Sequence, residues 1–212
     1  MIHTVATFAR RTELHRVGCA GLVDFDSRSE DEVADLASGG VHVLPVSEVE
    51  NLLLLPDVFL ALAAAQRFES VDAQAKLDLL RRSVLDTIRR EADNVALRAT
   101  RRRIDAQVRR IGLAATGIEA LDAEFASAVA DMRLTELYEK YRAALASAVE
   151  AEDCVGVLKL YDNKGLLAEA ARHLGMHKRS LEEFVGRALR GKDDEDLLTA
   201  LTAALPTVIT RP

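Results

Sequence analysis

At 212 residues the chain is long enough to bury a substantial core as one domain or two. Apolar residues make up 49%, charged residues 29% and aromatics 4%, with no Trp; this excludes a disordered chain and fits a helix-rich protein built on Ala and Leu. The net charge of −6 hides a segregated distribution, because from Arg81 to Arg110 ten arginines stand against four acids (Asp86, Glu91, Asp93, Asp105), a local balance of +6.

The longest apolar run, NLLLLPDVFLALAAA, is interrupted by Pro56 and Asp57 well short of the roughly 18 uninterrupted residues a spanning helix needs, so no membrane partner is expected. The opening MIHTVATFARRTELHR has no continuous apolar segment before a small-residue cleavage site, which speaks against a secretory signal. Cys19 and Cys154 lie far apart without metal-ligand neighbours, so a reducing cytoplasm is the expected location.

In chain order, Ile2 to Arg16 reads as a short amphipathic helix and RVGCAGLVD as a buried strand, because small and branched apolar residues run without alternation. SEDE supplies a capping box, Ser29 as N-cap and Glu32 at N3, for a helix that ends at Gly39 or Gly40. Val41 to Pro45 is a second strand, giving a βαβ unit whose reactive groups gather beyond the carboxyl ends of its strands. Pro56 fits the first turn of a helix. Val71 to Ile111 has no Pro or Gly and predicts one long helix or a helical hairpin, with Leu97, Ile104, Val108 and Ile111 at helical spacing. Ile118 to Val149 predicts another long helical stretch, antiparallel to the first. YDNKGLL is a turn feeding a helix that stops near Gly175, Ser180 to Glu183 forms a further capping box, and Asp193 to Leu205 is a last short helix before Pro206.

The sharpest feature is GLVDFDSRSEDE. Asp24 and Asp26 project to the same side of an extended chain, because side chains alternate with a period of two. Such a pair at a strand end suits Mg²⁺ or Mn²⁺, hard cations that take oxygen ligands. It equally suits a plain strand end and turn, Asp24 capping and Asp26 opening a turn with Ser27. Glu50 divides the same way: a third metal ligand from the neighbouring strand end, or the N3 acid of a box with Ser47, with Glu48 favouring the helix dipole. Lys164 is a turn cation that could neutralise a phosphate or simply be solvated. Arg98, Arg102 and Arg109 fall within about 40° of one another at 100° per residue and could follow a phosphate backbone; Asp105 shares that face, and i, i+4 ion pairs are the rival explanation. His173 and His177 are spaced i, i+4, but Gly175 between them ends the helix. No P-loop of the form G-x-x-x-x-G-K-[ST] is present.

On these residues, Val17 to Val58 resembles the second half of a TOPRIM domain, in the version found in overcoming-lysogenization-defect (OLD) nucleases and other proteins associated with AAA-type ATPases. There an apolar strand ends in D-x-D, a short helix and strand follow, and a Glu-Asn pair opens a leucine-rich helix, here Glu50 and Asn51. NKGLL is similar to the family's downstream Gly- and Lys-bearing turn. The fold class expected is therefore α/β but mostly helical: a partial TOPRIM (Rossmann-like, parallel-sheet) core over residues 1–60, an arginine-rich long-helix region over 61–150 and a C-terminal helical region over 151–212.

The resemblance implies divalent-metal-dependent phosphodiester cleavage of DNA or RNA, with Asp24, Asp26 and Glu50 holding Mg²⁺ or Mn²⁺ and Lys164 assisting. It implies an AAA-type ATPase upstream or on a separate chain, and leaves a homodimer open. The family's earlier strand ending in glutamate has no counterpart here, Glu13 being the sole acid before Asp24. Either the chain is a fragment of the domain, or that acid comes from elsewhere, or the site is degenerate, and whether the isolated chain is active stays open. Two other classes remain: a non-catalytic helical module that docks an ATPase or dimer partner, and a bare nucleic-acid-binding module.

Overall fold

The structure, a computed structural model, describes residues 20–109, 111, 115–162, 165–191 and 194–206. The helix expected over Ile2 to Arg16, together with Glu13, Cys19 and Lys164, lies outside them. The protein is mostly helical, and a small parallel sheet sits at one end of the helical body.

Strand β1 (Gly21–Val23) pairs in parallel with β2 (Val41–Val43), in the register Gly21 to Val41 and Val23 to Val43. Helix α1 (Glu30–Ser38) makes the crossover, so the expected βαβ unit is present. Both halves of its capping box form: Glu32 N donates to Ser29 Oγ at 3.3 Å and Ser29 N to the Glu32 carboxylate at 2.9 Å. Gly40 takes the left-handed conformation at φ 74°, where a Cβ would be strained. Strand β2 stops at Val43, two residues short of the expected Pro45.

Beyond β2 a 3₁₀ helix (Val49–Leu54) leads into α2 (Pro56–Ala65), with Pro56 at its first turn as expected. Helix α3 (Ser70–Val108) is a single 39-residue rod, roughly 58 Å long at 1.5 Å per residue, and not a hairpin. Helices α4 (Ile118–Asp131) and α5 (Leu134–Glu150) split the stretch expected as one helix; the chain leaves helical geometry at Met132 and Arg133. Helix α5 runs antiparallel along α3, with Arg89 near Val149 at one end and Gln107 near Arg133 at the other. Then follow α6 (Cys154–Leu160), α7 (Gly165–His173), α8 (Lys178–Gly191) and α9 (Glu195–Ala204). Ser180 does not cap a helix, because α8 has already begun at Lys178.

The buried stripe of α3 is Ala73, Leu77, Leu80, Val84, Ile88, Val95 and Ala99, a 3–4 residue rhythm that faces α2, α6 and α7. Leu97 and Val108 are exposed. Leu97 lies about 160° from Val95 and Ala99 at 100° per residue, so Leu97 and Val108 belong to a second stripe on the side of the rod opposite those buried residues. One hydrophobic cluster joins the loop after β2, α2, α3 and α5 through α9, with Phe59, Leu62, Ile88, Leu145, Leu158, Tyr161, Leu167, Leu181 and Leu197 fully buried. One core is therefore shared by residues on both sides of positions 60 and 150. No helix among the described residues is long and apolar enough to cross a membrane.

Candidate functional site

The carboxyl ends of β1 and β2 stay abreast after the strands formally end. Leu44 N donates to Val23 O at 2.9 Å, and Phe25 N donates to Val46 O at 3.2 Å. Asp24 therefore stands, half-buried, beside the segment that leads to Glu50. Asp26 and Ser27 both adopt left-handed backbone, at φ 47° and 56°. Aspartate tolerates that region better than most residues, yet a pair costs on the order of 1 kcal/mol each and persists only where surroundings over-determine it. Here Arg28 N donates to Phe25 O at 3.0 Å, Tyr141 Oη of α5 donates to Ser27 O at 3.4 Å, and the Arg28 guanidinium reaches both Asp24 O and Asp26 Oδ2 at 3.4 Å. Burial pushes the Tyr141 phenol above its usual range, so it stays a donor through neutral pH.

On the β2 side, Ser47 and Asn51 are fully buried and both point at one backbone group. Ser47 Oγ donates to Tyr161 O, Asn51 Nδ2 donates to the same oxygen at 2.9 Å, and Ser47 N donates to Leu158 O at 2.9 Å. The box expected between Ser47 and Glu50 does not form: Glu48 is the N-cap of the 3₁₀ helix and no side chain caps it. Ser47 is taken by a carbonyl 114 residues away. Glu50, half-buried, sits in the first turn of that 3₁₀ helix.

Tyr161 shortly precedes Lys164 in sequence, and the links from Ser47 and Asn51 bring the Tyr161 carbonyl to the segment after β2; Lys164 itself is outside the described residues. Asp162 is clamped by Arg98 Nε at 2.7 Å and Arg102 Nη1 at 2.6 Å, and Arg102 also donates to Leu160 O at 3.3 Å. Two of the three arginines expected on a phosphate-tracking face thus turn inward, and the partner is neither Asp105 nor another i, i+4 acid. Arg109 is exposed. Arg103 pairs with Glu32, tying α3 to α1. Between these helices and the Asp26 turn lies a cleft of about 710 Å³ whose walls include Asp26, Arg28, Glu32, Arg102, Arg103 and Arg109, a lining of both signs.

The donor chemistry of Asp24, Asp26 and Glu50 suits a hard divalent cation. Their geometry does not supply a ready cage: among the described residues no three His, Cys, Asp or Glu side chains are grouped so as to hold a metal ion, and Asp26 faces Arg28 instead. His173 and His177 do not form a pair on one helix, since α7 ends at His173 and Gly175 turns the chain at φ 71°.

Sequence reasoning passed over Arg28, Arg103, Tyr141, Tyr161 and Asp162. Local pattern carried no sign of the last four, because each acts on a partner on another element or through its backbone, whereas Arg28 bonds within its own turn, to Asp24 O and Asp26. Asn51 did leave a trace, as an amide inside the apolar run ENLLLL. Compared with known proteins, the chain matches no family model, no curated protein and no solved structure.

Proposed function

We propose that this chain is the acid-bearing part of a TOPRIM-like, divalent-metal-dependent nuclease that hydrolyses phosphodiester bonds in DNA or RNA and works with an AAA-type ATPase. One observation supports the reading: three stretches far apart in sequence, the D-x-D turn, residues 46–51 and Tyr161, are linked at the carboxyl end of a parallel βαβ unit. The first two are joined by the Phe25 to Val46 bond and the last two by the Ser47 and Asn51 bonds to Tyr161 O. That end is where open α/β sheets place ligands. Asp24, Asp26 and Glu50 are the residues proposed to hold Mg²⁺ or Mn²⁺, which would activate water and neutralise charge at phosphorus, with Lys164 assisting.

The test is cleavage of single- and double-stranded DNA and RNA with Mn²⁺ or EDTA, using the wild type and Asp24→Asn with Asp26→Asn. The expected result is Mn²⁺-dependent cleavage that the double substitution abolishes, and a Mn²⁺-induced rise in melting temperature that it also removes. Cleavage indifferent to EDTA or to the substitutions refutes the reading. The pairing of Asp26 with Arg28 favours a second reading, a non-catalytic helical module that docks a partner; it predicts no cleavage and no response to Mn²⁺ at these residues. A third, a bare nucleic-acid-binding module, predicts salt-sensitive binding that survives loss of both aspartates.

A further inference from the structure

Helix α4 is set apart from the rest of the molecule. None of its described side chains is buried, and its large apolar residues occupy one face: Ile118, Leu121, Phe125 and Val129 at intervals of 3, 4 and 4 residues. Ile118 is 71% exposed, Phe125 51% and Val129 47%. A helix in a monomer normally turns such a stripe inward, and contiguous exposed apolar surface marks a contact.

Helix α3 carries a second uncovered stripe. Leu97 is 41% exposed and Val108 45%; Ile104 lies between them on the same face, and Arg101 stands within about 40° of Leu97 at 100° per residue. The two stripes match in charge as well as in hydrophobicity. By sequence α4 has four acids, Glu119, Asp122, Glu124 and Asp131, and no base. Residues 97–109 of α3 have five arginines against Asp105, a balance of +4. Arg98, Arg102 and Arg103 are taken by Asp162 and Glu32, which leaves the exposed Arg101 beside the stripe, while Arg109 lies about 120° from Leu97 on the side of Arg98 and Arg102. On α4, Asp122 lies beside the Ile118–Phe125–Val129 row.

We infer that this chain forms a two-fold homodimer in which α4 of each copy packs its Ile118, Phe125 and Val129 face on the Leu97, Ile104 and Val108 face of its partner's α3, with Asp122 against Arg101. One patch is the complement of the other, so a two-fold axis makes the same contact twice, the arrangement that closed dimers use. Stable interfaces remove roughly 1,200–2,000 Å² from water, and duplication of the helix pair works towards that area without a new surface. The inference stands apart from the proposed nuclease chemistry, because none of its residues belongs to the strand-tip site.

The test is the mass of the full chain by sedimentation and light scattering over a concentration series, for the wild type, Phe125→Asp, Arg101→Glu, and Arg101→Glu combined with Asp122→Arg. The wild type is expected to be a dimer. Phe125→Asp should raise the dimer dissociation constant at least tenfold with an unchanged melting temperature of the monomer, because the ring contributes nothing to the core. Arg101→Glu should weaken the dimer, and the double reversal should restore it. A wild type that is monomeric up to its solubility limit overturns the inference. So does a dimer indifferent to Phe125→Asp, or a monomer in which the amides of 121–129 are protected from exchange by closure within one chain.

Discussion

Replacing Ser47 and Asn51 by alanine, singly and together, probes the joint between the strand tips and the turn at Tyr161. Each single change removes one donor from the fully buried carbonyl of Tyr161 while the other remains, so each costs one buried hydrogen bond and a little packing, about 1–2 kcal/mol. For Asn51→Ala the value should fall toward the lower end, because Asn51 Oδ1 is already buried without a hydrogen-bond partner and its removal relieves that penalty. The double change strips the carbonyl of both side-chain donors. Because the two side chains share one acceptor and Asn51 Nδ2 also donates to Ser47 Oγ at 3.3 Å, the pair should depart from additivity by more than about 0.5 kcal/mol. For a chain of 212 residues, 1 kcal/mol moves the melting temperature by roughly 2–4 °C. Urea unfolding of the four proteins gives the coupling energy directly. Additivity to within about 0.5 kcal/mol would show that Tyr161 O does not depend on this pair, and the proposed joint would fail.

Asp162→Ala should leave two partly buried guanidinium groups without their acid and destabilise the fold by about 2 kcal/mol in urea, less than a fully buried pair because Arg98 and Arg102 retain some solvent access, whereas Arg109→Ala on the exposed face should change stability by under about 0.5 kcal/mol. Burial, followed by the charges of Arg172 and Lys76, lowers the pKa of His173, so the folded state resists its protonation. The stability His173 contributes is therefore present above its unfolded pKa of about 6.5 and is lost as pH falls through the lower folded value. Melting curves from pH 7.5 to 5 should show a decline that is shallower in His173→Asn; an identical decline in the two proteins would contradict this account.

Capping boxes of the S-x-x-E form are expected at Ser29, Ser47 and Ser180, and among these only the first is made. At Ser29 nothing competes and the local rule decides. At Ser47 a buried carbonyl from α6 takes the hydroxyl, and at Ser180 the helix has begun a turn earlier. A local motif states what a side chain is able to bond and is silent on what tertiary packing offers instead. The same limit governs the arginines: their helical spacing was legible, but Asp162 is 64 and 60 residues from Arg98 and Arg102, so the inward turn of both was not. The long α3 was legible because a run without Gly or Pro is a local property. Which of its two apolar stripes faces the core was not, because that is set by the helices that pack on the rod, α2, α5, α6 and α7. Asp24, Asp26 and Glu50 were placed at neighbouring tips by the βαβ pattern alone; whether their oxygens gather on one point depends on turn geometry that no spacing encodes.

The bonds from Ser47 and Asn51 to Tyr161 also set an order of events during synthesis. When the β2 segment leaves the ribosome, the carbonyl that its serine and amide will need has not yet been made, and more than a hundred residues must follow before it appears. Until then these polar groups keep their water, and the nascent α/β unit remains open on the side that α6 will cover. Closing so long a loop is slow compared with winding the helices within it. The early-made end of the protein is thus completed late, after the rod and its antiparallel companion have had time to assemble.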